Sequence, residues 1–570
     1  MKTYLIQITI GPVQDFIASA RKLRDLWFGS DLLSELSKTI ARSLQQQGGE
    51  LIFPCIEDKS ELAKDSELIV ANKILLRITT DKNPAAIINN AKSAWIEHRQ
   101  EIADISLKKM QQISAIKHNI NKKLFTLQQD DFGEFFAAWV EQEQPKDYYS
   151  SKNQLEKLLA SRKNLREFSA PQWDGEGIPK SSLDGMREAV IGDQQAAIKG
   201  LLKKNERLDA LACIKRFYPL KNKKRTCFDD LSYIALSSYK RVSEEYDNAN
   251  LIAKFTDKFR DEEGGAQYSE IFYYDKKELQ NNHALQEYKA MKAVYGEPNK
   301  YACVLMGDGD HMGKALDAIK TAEGHQYFSR QLGLFAKNIE LTISNYQGSL
   351  IYAGGDDVMA YVPLHTAIDC ADKVQQEFVK IMQTIKVKLQ LKIATPTFSI
   401  GMAIVHHSEP LDNALELARQ AEQMAKHQAK RNALAIIQHK RGGSDLSIYG
   451  HWHTDTNVQP GIVQRLQLMS ALHQKNILPS TLGYQLRQAR IESGDTLDYD
   501  KHSDTLKANN ASAALVQRIV QQKSQADSLQ EKLQTILKHQ TSIRQLSDEM
   551  VIARQFSEDQ MIINNAQGKC

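Results

Sequence analysis

The sequence predicts an α+β protein built from several domains. The chain has 570 residues, which is too long for a single hydrophobic core. Between residues 1 and 165, an alternating apolar run is followed by segments with apolar residues at helical spacing and by further apolar runs. Residues 298–440 show the order strand, helix, strand, strand, helix, strand, helix, strand. Each pattern predicts a ferredoxin-like domain.

The first of these domains opens with a strand. Residues Leu5–Ile10 alternate and stop at Gly11-Pro12, which predicts a strand leading into a helix with proline in its first turn. Ser30 is placed to cap a second helix over residues 31–44. Two apolar runs predict further strands, at residues 51–54 and 73–78. We interpret residues 84–165 as a helical excursion of the same domain.

The centre of the sequence is a pair of acidic strand ends. Residues Tyr301–Met306 predict a buried strand, which runs into Gly307-Asp308-Gly309-Asp310. Gly354-Gly355-Asp356-Asp357 lies between two short apolar runs, a pattern typical of a hairpin with acids at its tip. Adjacent strands would therefore bring Asp308 beside Asp356 and Asp357.

Three close carboxylates have a chemical consequence. They repel one another and lose hydration when buried, unless divalent cations lie among them. Oxygen ligands favour Mg²⁺ or Mn²⁺, and two ions about 3.5–4 Å apart suit in-line phosphoryl transfer. Asp308, Asp356 and Asp357 are therefore predicted to hold two such ions. On the predicted strand 397–405, the small residues Ser399 and Gly401 leave room for a ligand.

Composition excludes several protein classes. The apolar content of 42% and charged content of 25% are ordinary for a globular protein. A formal net charge of +4 gives no global field typical of a nucleic-acid binder, so RNA contact depends on a local basic run, residues 221–225. The apolar run at residues 4–10 is too short for a membrane span and lacks a signal-peptide pattern, so we expect a cytoplasmic protein without a membrane partner. The six cysteines form no C-x-x-C pair and thus neither a disulfide framework nor an intact zinc motif.

The last part of the chain, residues 441–570, lacks strand patterns. A Gly-Gly-Ser linker leads into helical stretches, and residues 513–546 carry a moderate apolar stripe among Gln, Lys and Glu. We predict a helical domain here. The four predicted domains therefore cover residues 1–165, 166–297, 298–440 and 441–570.

The spelling of three segments makes a more specific prediction. Residues 11–34 read Gly-Pro-Val-Gln-Asp-Phe-Ile-Ala-Ser-Ala-Arg-Lys-Leu-Arg-Asp-Leu-Trp-Phe-Gly-Ser-Asp-Leu-Leu-Ser. Together with Asp308-Gly-Asp-His-Met-Gly313 and Gly354-Gly-Asp-Asp357, this segment closely resembles the large, polymerase-like subunit of type III-B (Cmr) CRISPR effector complexes. The resemblance spans nearly the whole chain and implies two palm domains of the nucleotide-cyclase and polymerase type.

The resemblance also implies an activity and partners. Such a subunit makes signalling oligoadenylates from ATP when a guide RNA pairs with a target transcript. The implied partners are the other Cmr subunits and, through the complex, guide RNA and target RNA. The helical C-terminal domain would pack against small helical subunits of the complex, and the first palm would hold the second nucleotide as acceptor.

Roles for single residues follow from the same resemblance. Asp308 and Asp356, assisted by Asp357 and the Gly309 carbonyl, would hold the metal ions. The nucleotide site would be lined by six residues: Gly354, Gly355, Gly309, Asp310, Ser399 and Lys426. Of these, Ser399 would read the base edge, and Lys426 would contact the phosphates if one residue is inserted before Arg431-Asn432.

The sequence departs from the family in two places. Relatives carry a zinc module, whereas this chain has Ser181 and Asp184 at the matching cysteine positions and Cys213 with Asp209 near its lost partner. We therefore predict an α-rich linker domain that folds without structural zinc. The first palm strand begins at Tyr4 and the sequence contains no His-Asp dipeptide, so we expect no N-terminal HD nuclease domain.

Other functions remain open at this point. The same fold could transfer AMP from ATP to a different acceptor, because pattern analysis resolves the acceptor pocket least. A silent scaffold that organises guide RNA and subunits is a further alternative, although an unused acid cluster is costly to keep. A stand-alone diguanylate cyclase is disfavoured by the second palm, the extra domains and the absence of a sensor module.

Overall fold

The structure is a computed structural model of the chain. It describes residues 1–142, 148–165, 177–192, 198, 201–220, 230–259, 271–281, 283–452, 460–492 and 543–567. The predicted basic run 221–225 and most of the stripe 513–546 lie outside the described residues.

The first domain is built on a four-stranded antiparallel sheet of order β2-β3-β1-β4. Its strands are β1 Lys2–Gly11, β2 Glu50–Phe53, β3 Lys73–Thr80 and β4 Glu134–Glu141. Its helices are α1 Gln14–Ala18, α2 Leu23–Gln46, α3 Pro84–Gln111, α4 Lys122–Asp130 and α5 Tyr148–Asn164. Ile6 and Ile8 of β1 belong to the core with α2 and α3, whereas Leu5 packs with α5. Since side chains alternate along a strand, β1 is buried on both faces.

Two predictions for this domain are wrong. Helix α2 runs without a break through Ser30, which is buried within it and caps nothing. Buried apolar residues such as Leu26 and Leu33 lie on both sides of Ser30, so one amphipathic helix continues through it. Residues 84–165 are also not wholly helical, because Glu134–Glu141 forms β4 and pairs with β1.

A helical segment follows the first domain. Its helices are α6 Ala210–Phe217, α7 Leu231–Ala235, α8 Ser237–Glu245, α9 Leu251–Asp257, α10 Lys276–Asn281 and α11 Leu285–Tyr295. Arg216 of α6 is fully buried, and its Nε donates to both oxygens of Asp25 in α2 at 2.8 Å. Glu206 lies 3.4 Å from the same guanidinium. This charged cluster ties the helical segment to the first domain.

The second sheet has six strands in the order β10-β9-β8-β5-β7-β6. The strands are β5 Tyr301–Gly309, β6 Ser349–Gly354, β7 Asp357–Pro363, β8 Phe398–His406, β9 Ala433–Gln438 and β10 Leu446–His451. The helices between them are α12 Met312–Ala318, α13 Ala322–Asn345, α14 Leu364–Lys388 and α15 Leu411–His427. Strands β8-β5-β7-β6 repeat the order of the first sheet, and β9 joins β8 in parallel. The predicted α+β class with two palm-like sheets is confirmed.

The end of the chain packs on the second sheet. Its described helices are α16 Ile462–Gln474, α17 Leu482–Glu492 and α18 Ile543–Gln567. The prediction that no strand follows residue 440 is wrong, because Leu446–His451 forms β10 antiparallel to β9. Trp452, which follows β10, is fully buried and donates its indole N–H to the Phe398 carbonyl at 2.8 Å.

Helix α13 of the second domain lies along the edge of the first sheet. Gln326 donates to the Leu51 carbonyl at 3.0 Å, and the Cys55 N–H donates to Ser329 at 3.0 Å. The hydroxyl of Tyr148 in α5 lies 2.8 Å from His325 Nδ1. The two palm sheets therefore form one packed unit. Among the described helices, none combines the length and apolarity needed to cross a lipid bilayer.

Candidate active site

The acidic strand ends meet as the sequence predicts. Strand β5 lies between β7 and β8, and its last residue paired with β7 is Gly307, opposite Val358. Asp308 and Asp357 come next on the two strands. Gly354 pairs with Asp357, so Gly355-Asp356 forms a two-residue turn at the tip of the β6–β7 hairpin. A positive φ of 67° at Gly355 explains the glycine at this turn.

The three carboxylates form a cluster. One oxygen each of Asp308, Asp356 and Asp357 lies within 4.8 Å of the others, and the described residues contain no other group of three potential metal ligands. Burial, followed by the charge of Asp308, raises the pKa of Asp356 to about 6. Burial, a hydrogen bond to Asp308 and the charge of Asp356 raise the pKa of Asp357 to about 9. The protein's own residues thus leave the negative charge of this cluster incompletely compensated.

Among the described residues, one cation reaches the cluster. Lys426, in the last turn of α15, forms an ion pair with Asp308 and lies 2.6 Å from Glu422 Oε1. Burial alone would lower the pKa of Lys426, but the bonds to Asp308 and Glu422 outweigh it and raise that pKa. The structure therefore places Lys426, the residue predicted to contact the phosphates, beside the carboxylate cluster.

Glycine at position 309 permits this geometry. A Cβ at Gly309 would come within 2.9 Å of Asp356 Cβ, Met312 Cγ and Phe378 Cζ. The strand end can therefore approach the hairpin only without a side chain. At Gly354, a Cβ would overlap the phenol of Tyr352, which lies along the hairpin.

Asp310 and Ser399, two of the predicted nucleotide-binding residues, form hydrogen bonds within the protein instead. Asp310 is 1% exposed and accepts hydrogen bonds from Thr397 Oγ1 at 2.8 Å and Ser399 Oγ at 2.9 Å. Ser399 is fully buried in this bond, so its hydroxyl is not placed to read a base edge. Both residues have protein partners that their strand positions alone did not reveal.

Gly401 also serves the fold rather than a ligand. A Cβ at this position would overlap the backbone nitrogen of Glu422 in α15. The small residue lets the helix that carries Lys426 approach β8 closely. The prediction that Gly401 leaves room for a ligand is wrong, because the helix backbone fills that room.

Sequence reasoning missed two neighbours of the cluster. Glu422 precedes Lys426 by four residues, a spacing that places both on one face of a helix and could have indicated the pair. Tyr352 is largely buried; its burial and the nearby Asp357 and Asp356 raise its pKa. No sequence signal marks Tyr352 beyond its place in an apolar strand.

The positions matching the lost zinc cysteines carry hydrogen bonds. Ser181 donates to Asp209 Oδ2 at 2.7 Å, and Asp209 caps α6 by accepting from the N–H groups of Leu211 and Ala212. Asp184 pairs with Arg187 at 3.0 Å. Cys213 is fully buried, and burial raises its pKa well above the ordinary value. That this segment folds without zinc stays a prediction.

Two family models match this chain. The model for the N-terminal domain of CRISPR-associated protein Cmr2 matches residues 5–128, and the model for the second palm domain of Cas10/Cmr2 matches residues 300–435. The chain is 26% identical over 549 residues to the CRISPR system Cmr subunit Cmr2 of Pyrococcus furiosus. This match covers 77% of the chain but only 62% of the length of that relative.

Solved structures share the fold. A chain of the apo type III-B Cmr-beta complex matches 99% of this chain at 12% identity with a TM-score of 0.64, over 82% of its own length. A chain of Cmr-beta bound to cognate target RNA matches 92% of this chain at 13% identity with a TM-score of 0.63, over 79% of its own length. A chain of a Csm1-Csm4 cassette in complex with cA4 matches 99% at 13% identity with a TM-score of 0.50, over 70% of its length. At these identities, the likeness shows the fold alone.

The donor set fits a hard divalent cation. Three carboxylates and the nearby backbone of Gly309 are the oxygen ligands that Mg²⁺ and Mn²⁺ prefer. The raised pKa values of Asp356 and Asp357 indicate a cluster whose ionised form needs more positive charge than Lys426 supplies. The palm fold and an acidic triad therefore support the binding of divalent metal ions and a nucleotide.

Proposed function

We propose that the chain, which two Cas10/Cmr2 family models match, is the large subunit of a type III-B CRISPR effector complex that makes cyclic oligoadenylate from ATP. The observation that carries the proposal is the convergence of Asp308, Asp356 and Asp357 at the edge of a palm sheet. A fold relative, the Csm1-Csm4 cassette, has been seen in complex with cA4. The chain spans about three fifths of the length of the curated relative. The proposed activity therefore depends on the site residues of this chain and not on the name of that relative.

In this proposal, Asp308, Asp356, Asp357 and the Gly309 carbonyl hold two Mg²⁺ or Mn²⁺ ions. Bound there, such ions activate the acceptor ribose hydroxyl and neutralise charge on the phosphates. The 3′-oxygen of one nucleotide attacks the α-phosphorus of ATP and loses its proton, and the bond from that phosphorus to pyrophosphate breaks. The residues of the chain contribute by orienting these groups.

In this proposal, Lys426 and the backbone of the hairpin turn at Gly355 bind the triphosphate. The ammonium of Lys426 stands beside Asp308 and is kept charged by its two carboxylate neighbours. A fixed cation at this position favours the negative charge that develops on the departing pyrophosphate. At Gly355 nothing lies within 4 Å of the place of a Cβ, so the phosphates can approach the backbone of the turn there, whereas the Tyr352 phenol fills the corresponding place at Gly354.

The proposed partners are the other Cmr subunits, guide RNA and target RNA. The curated relative is a Cmr subunit, and one matching structure contains Cmr-beta bound to cognate target RNA. We further propose that target RNA switches the reaction on and that the protein acts in the cytoplasm.

The test is a product assay. The complex assembled with guide RNA is incubated with Mg²⁺ and labelled ATP, with and without target RNA, and products are identified by mass spectrometry. Asp356→Ala/Asp357→Ala is the inactive variant, and Asp412→Ala, an exposed acid in the first turn of α15, is the matched control. We expect target-dependent cyclic oligoadenylate from wild type and control only.

Other outcomes separate the alternatives. Product formation only after a small-molecule acceptor is added would indicate AMP transfer to that acceptor. A wild-type complex that binds RNA but yields no product with any acceptor would indicate a scaffold. Full activity in the double variant would contradict the assignment of the site.

A further inference from the structure

A left-handed turn follows the helix that carries Lys426. Lys430, Arg431 and Asn432 have consecutive φ values of 60°, 71° and 47° and connect α15 to β9. Among the described residues, the other non-glycine residues with positive φ occur singly. Each such residue costs about 1–3 kcal/mol and persists only where its surroundings enforce it. The turn therefore needs a restraint.

The buried carboxylate of Asp310 supplies that restraint. The N–H of Asn432 donates to Asp310 Oδ2 at 3.0 Å. Thr397 Oγ1 donates to the same oxygen at 2.8 Å, and Ser399 Oγ donates to the carboxylate at 2.9 Å. Arg431 Nε lies 3.9 Å from Asp310 Oδ1, so charge attraction adds to the hydrogen bond. Asp310 thus joins the end of β5, the start of β8 and the turn.

The segment that follows α15 also fixes the last residues of this helix. The N–H of Arg431 donates to the Ala425 carbonyl at 3.0 Å, and the N–H of Ala429 donates to the Met424 carbonyl at 3.1 Å. Carbonyls at the end of a helix otherwise lack partners, and helix ends fray. Both bonds span Lys426, since their acceptors precede it and their donors follow it. They hold the backbone from which its side chain reaches Asp308.

We propose that Asp310 is a positioning residue, which enforces the left-handed turn 430–432 and thereby keeps Lys426 beside Asp308. This inference rests on the proposed function. It assigns Asp310 no contact with the nucleotide, because its carboxylate is buried among protein donors. Asp310 acts on the substrate only through Lys426.

The experiment is a double-mutant cycle read by nucleotide affinity. The dissociation constant of a non-hydrolysable ATP analogue is measured with Mg²⁺ in the assembled complex with guide and target RNA. The proteins are wild type, Asp310→Asn, Lys426→Ala and the double variant. We expect Asp310→Asn to weaken binding about tenfold in the wild-type background, as typical when one hydrogen bond between charged groups is lost. In the Lys426→Ala background, Asp310→Asn should weaken binding less than about twofold, which is the error within which the effects of independent substitutions add.

Each outcome decides the inference. Equal effects of Asp310→Asn in both backgrounds would show that Asp310 acts independently of Lys426 and would overturn it. Wild-type affinity in Asp310→Asn would overturn it while leaving the proposed function intact. A wild-type complex that does not bind the analogue would overturn the proposed function, and the inference with it.

A second pair of variants separates positioning from general stability. Lys430→Gly removes the side-chain penalty at φ 60°, so it should restore part of the affinity lost in Asp310→Asn. Gln390→Gly relieves a similar φ of 52° beyond the end of α14 and should restore none. If Asp310→Asn does not fold, Thr397→Val/Ser399→Ala removes the two donors that orient the carboxylate of Asp310 toward the Asn432 N–H and should also weaken binding. Unchanged affinity in that variant would overturn the inference.

Discussion

At the scale of the residue, the acid cluster makes stability depend on pH. The folded chain raises the pKa of Asp357 from an ordinary 3.8 to about 9. Between these values the unfolded chain has released the proton that the folded chain retains, so raising the pH favours unfolding. Without divalent ions, we expect the melting temperature of wild type to fall from pH 5 to pH 9 more steeply than that of Asp357→Asn.

The measurement is a set of thermal melts in EDTA across this range, repeated with Mg²⁺. Adding Mg²⁺ at pH 8 should raise the melting temperature of wild type more than that of Asp357→Asn, because binding to the folded state stabilises it. Parallel pH curves for the two proteins would contradict the assignment.

Single residues of the site also differ in how well their positions can be predicted from the sequence. Asp308, Asp356 and Asp357 could be brought together from two strand ends, because neighbouring strands fix their spacing. Asp310 could not be placed correctly from its position alone. Its partner Asn432 lies 122 residues further along the chain, and no local pattern reveals whether a polar group at a strand end faces a ligand or a distant turn.

At the scale of the element, the contact between β5 and the hairpin tip depends on Gly309. We expect Gly309→Ala to destabilise the protein by about 1–3 kcal/mol, because a Cβ meets three neighbours at 2.9 Å in a packed interior. It should also reduce the thermal stabilisation by Mg²⁺, since the hairpin tip carries Asp356. Melting temperatures with and without Mg²⁺ provide the measurement.

Gly313→Ala is the matched control. Gly313 lies in α12, and a Cβ there meets nothing within 4 Å. Alanine also favours a helix over glycine by up to about 1 kcal/mol. The control should therefore be as stable as wild type or more so. Equal loss of stability in both variants would show that close packing at Gly309 is not the cause.

Elements were predicted well where their pattern was continuous and poorly where it was interrupted. Residues 433–438 form the predicted strand because the apolar run has clear limits. The sequence does not predict β4, because this strand follows a long helical stretch and is fixed by its tertiary pairing with β1. The sequence predicts a helix cap at Ser30, whereas the residue is buried within α2. A serine mid-helix and a serine at a cap are alike in sequence.

At the scale of the whole molecule, buried charges join separate parts of the chain. Asp25→Asn would leave the guanidinium of Arg216 buried without its bidentate partner. We expect a loss of about 3–5 kcal/mol, as typical when one member of a buried pair is removed. The measurement is the midpoint of the first transition in chemical denaturation.

An exposed ion pair supplies the control for this prediction. Glu245→Gln breaks the pair with Arg241 on the surface of α8, and the change should stay within about 0.5 kcal/mol. A midpoint of Asp25→Asn equal to that of the control would show that Arg216 finds other partners, such as Glu206.

The helix α18 has a consequence for how the protein is made. It packs on α16, α17 and β10, and Gln567 near its end donates to Tyr246, 321 residues earlier. A ribosome delivers residues in order, so the second palm and the helical segment leave it before the helix that covers their apolar surface. Until α18 has been synthesised, this apolar surface lacks the helix that buries it in the folded protein. Nascent chains halted before residue 543 should therefore bind chaperones more strongly than chains released after residue 567.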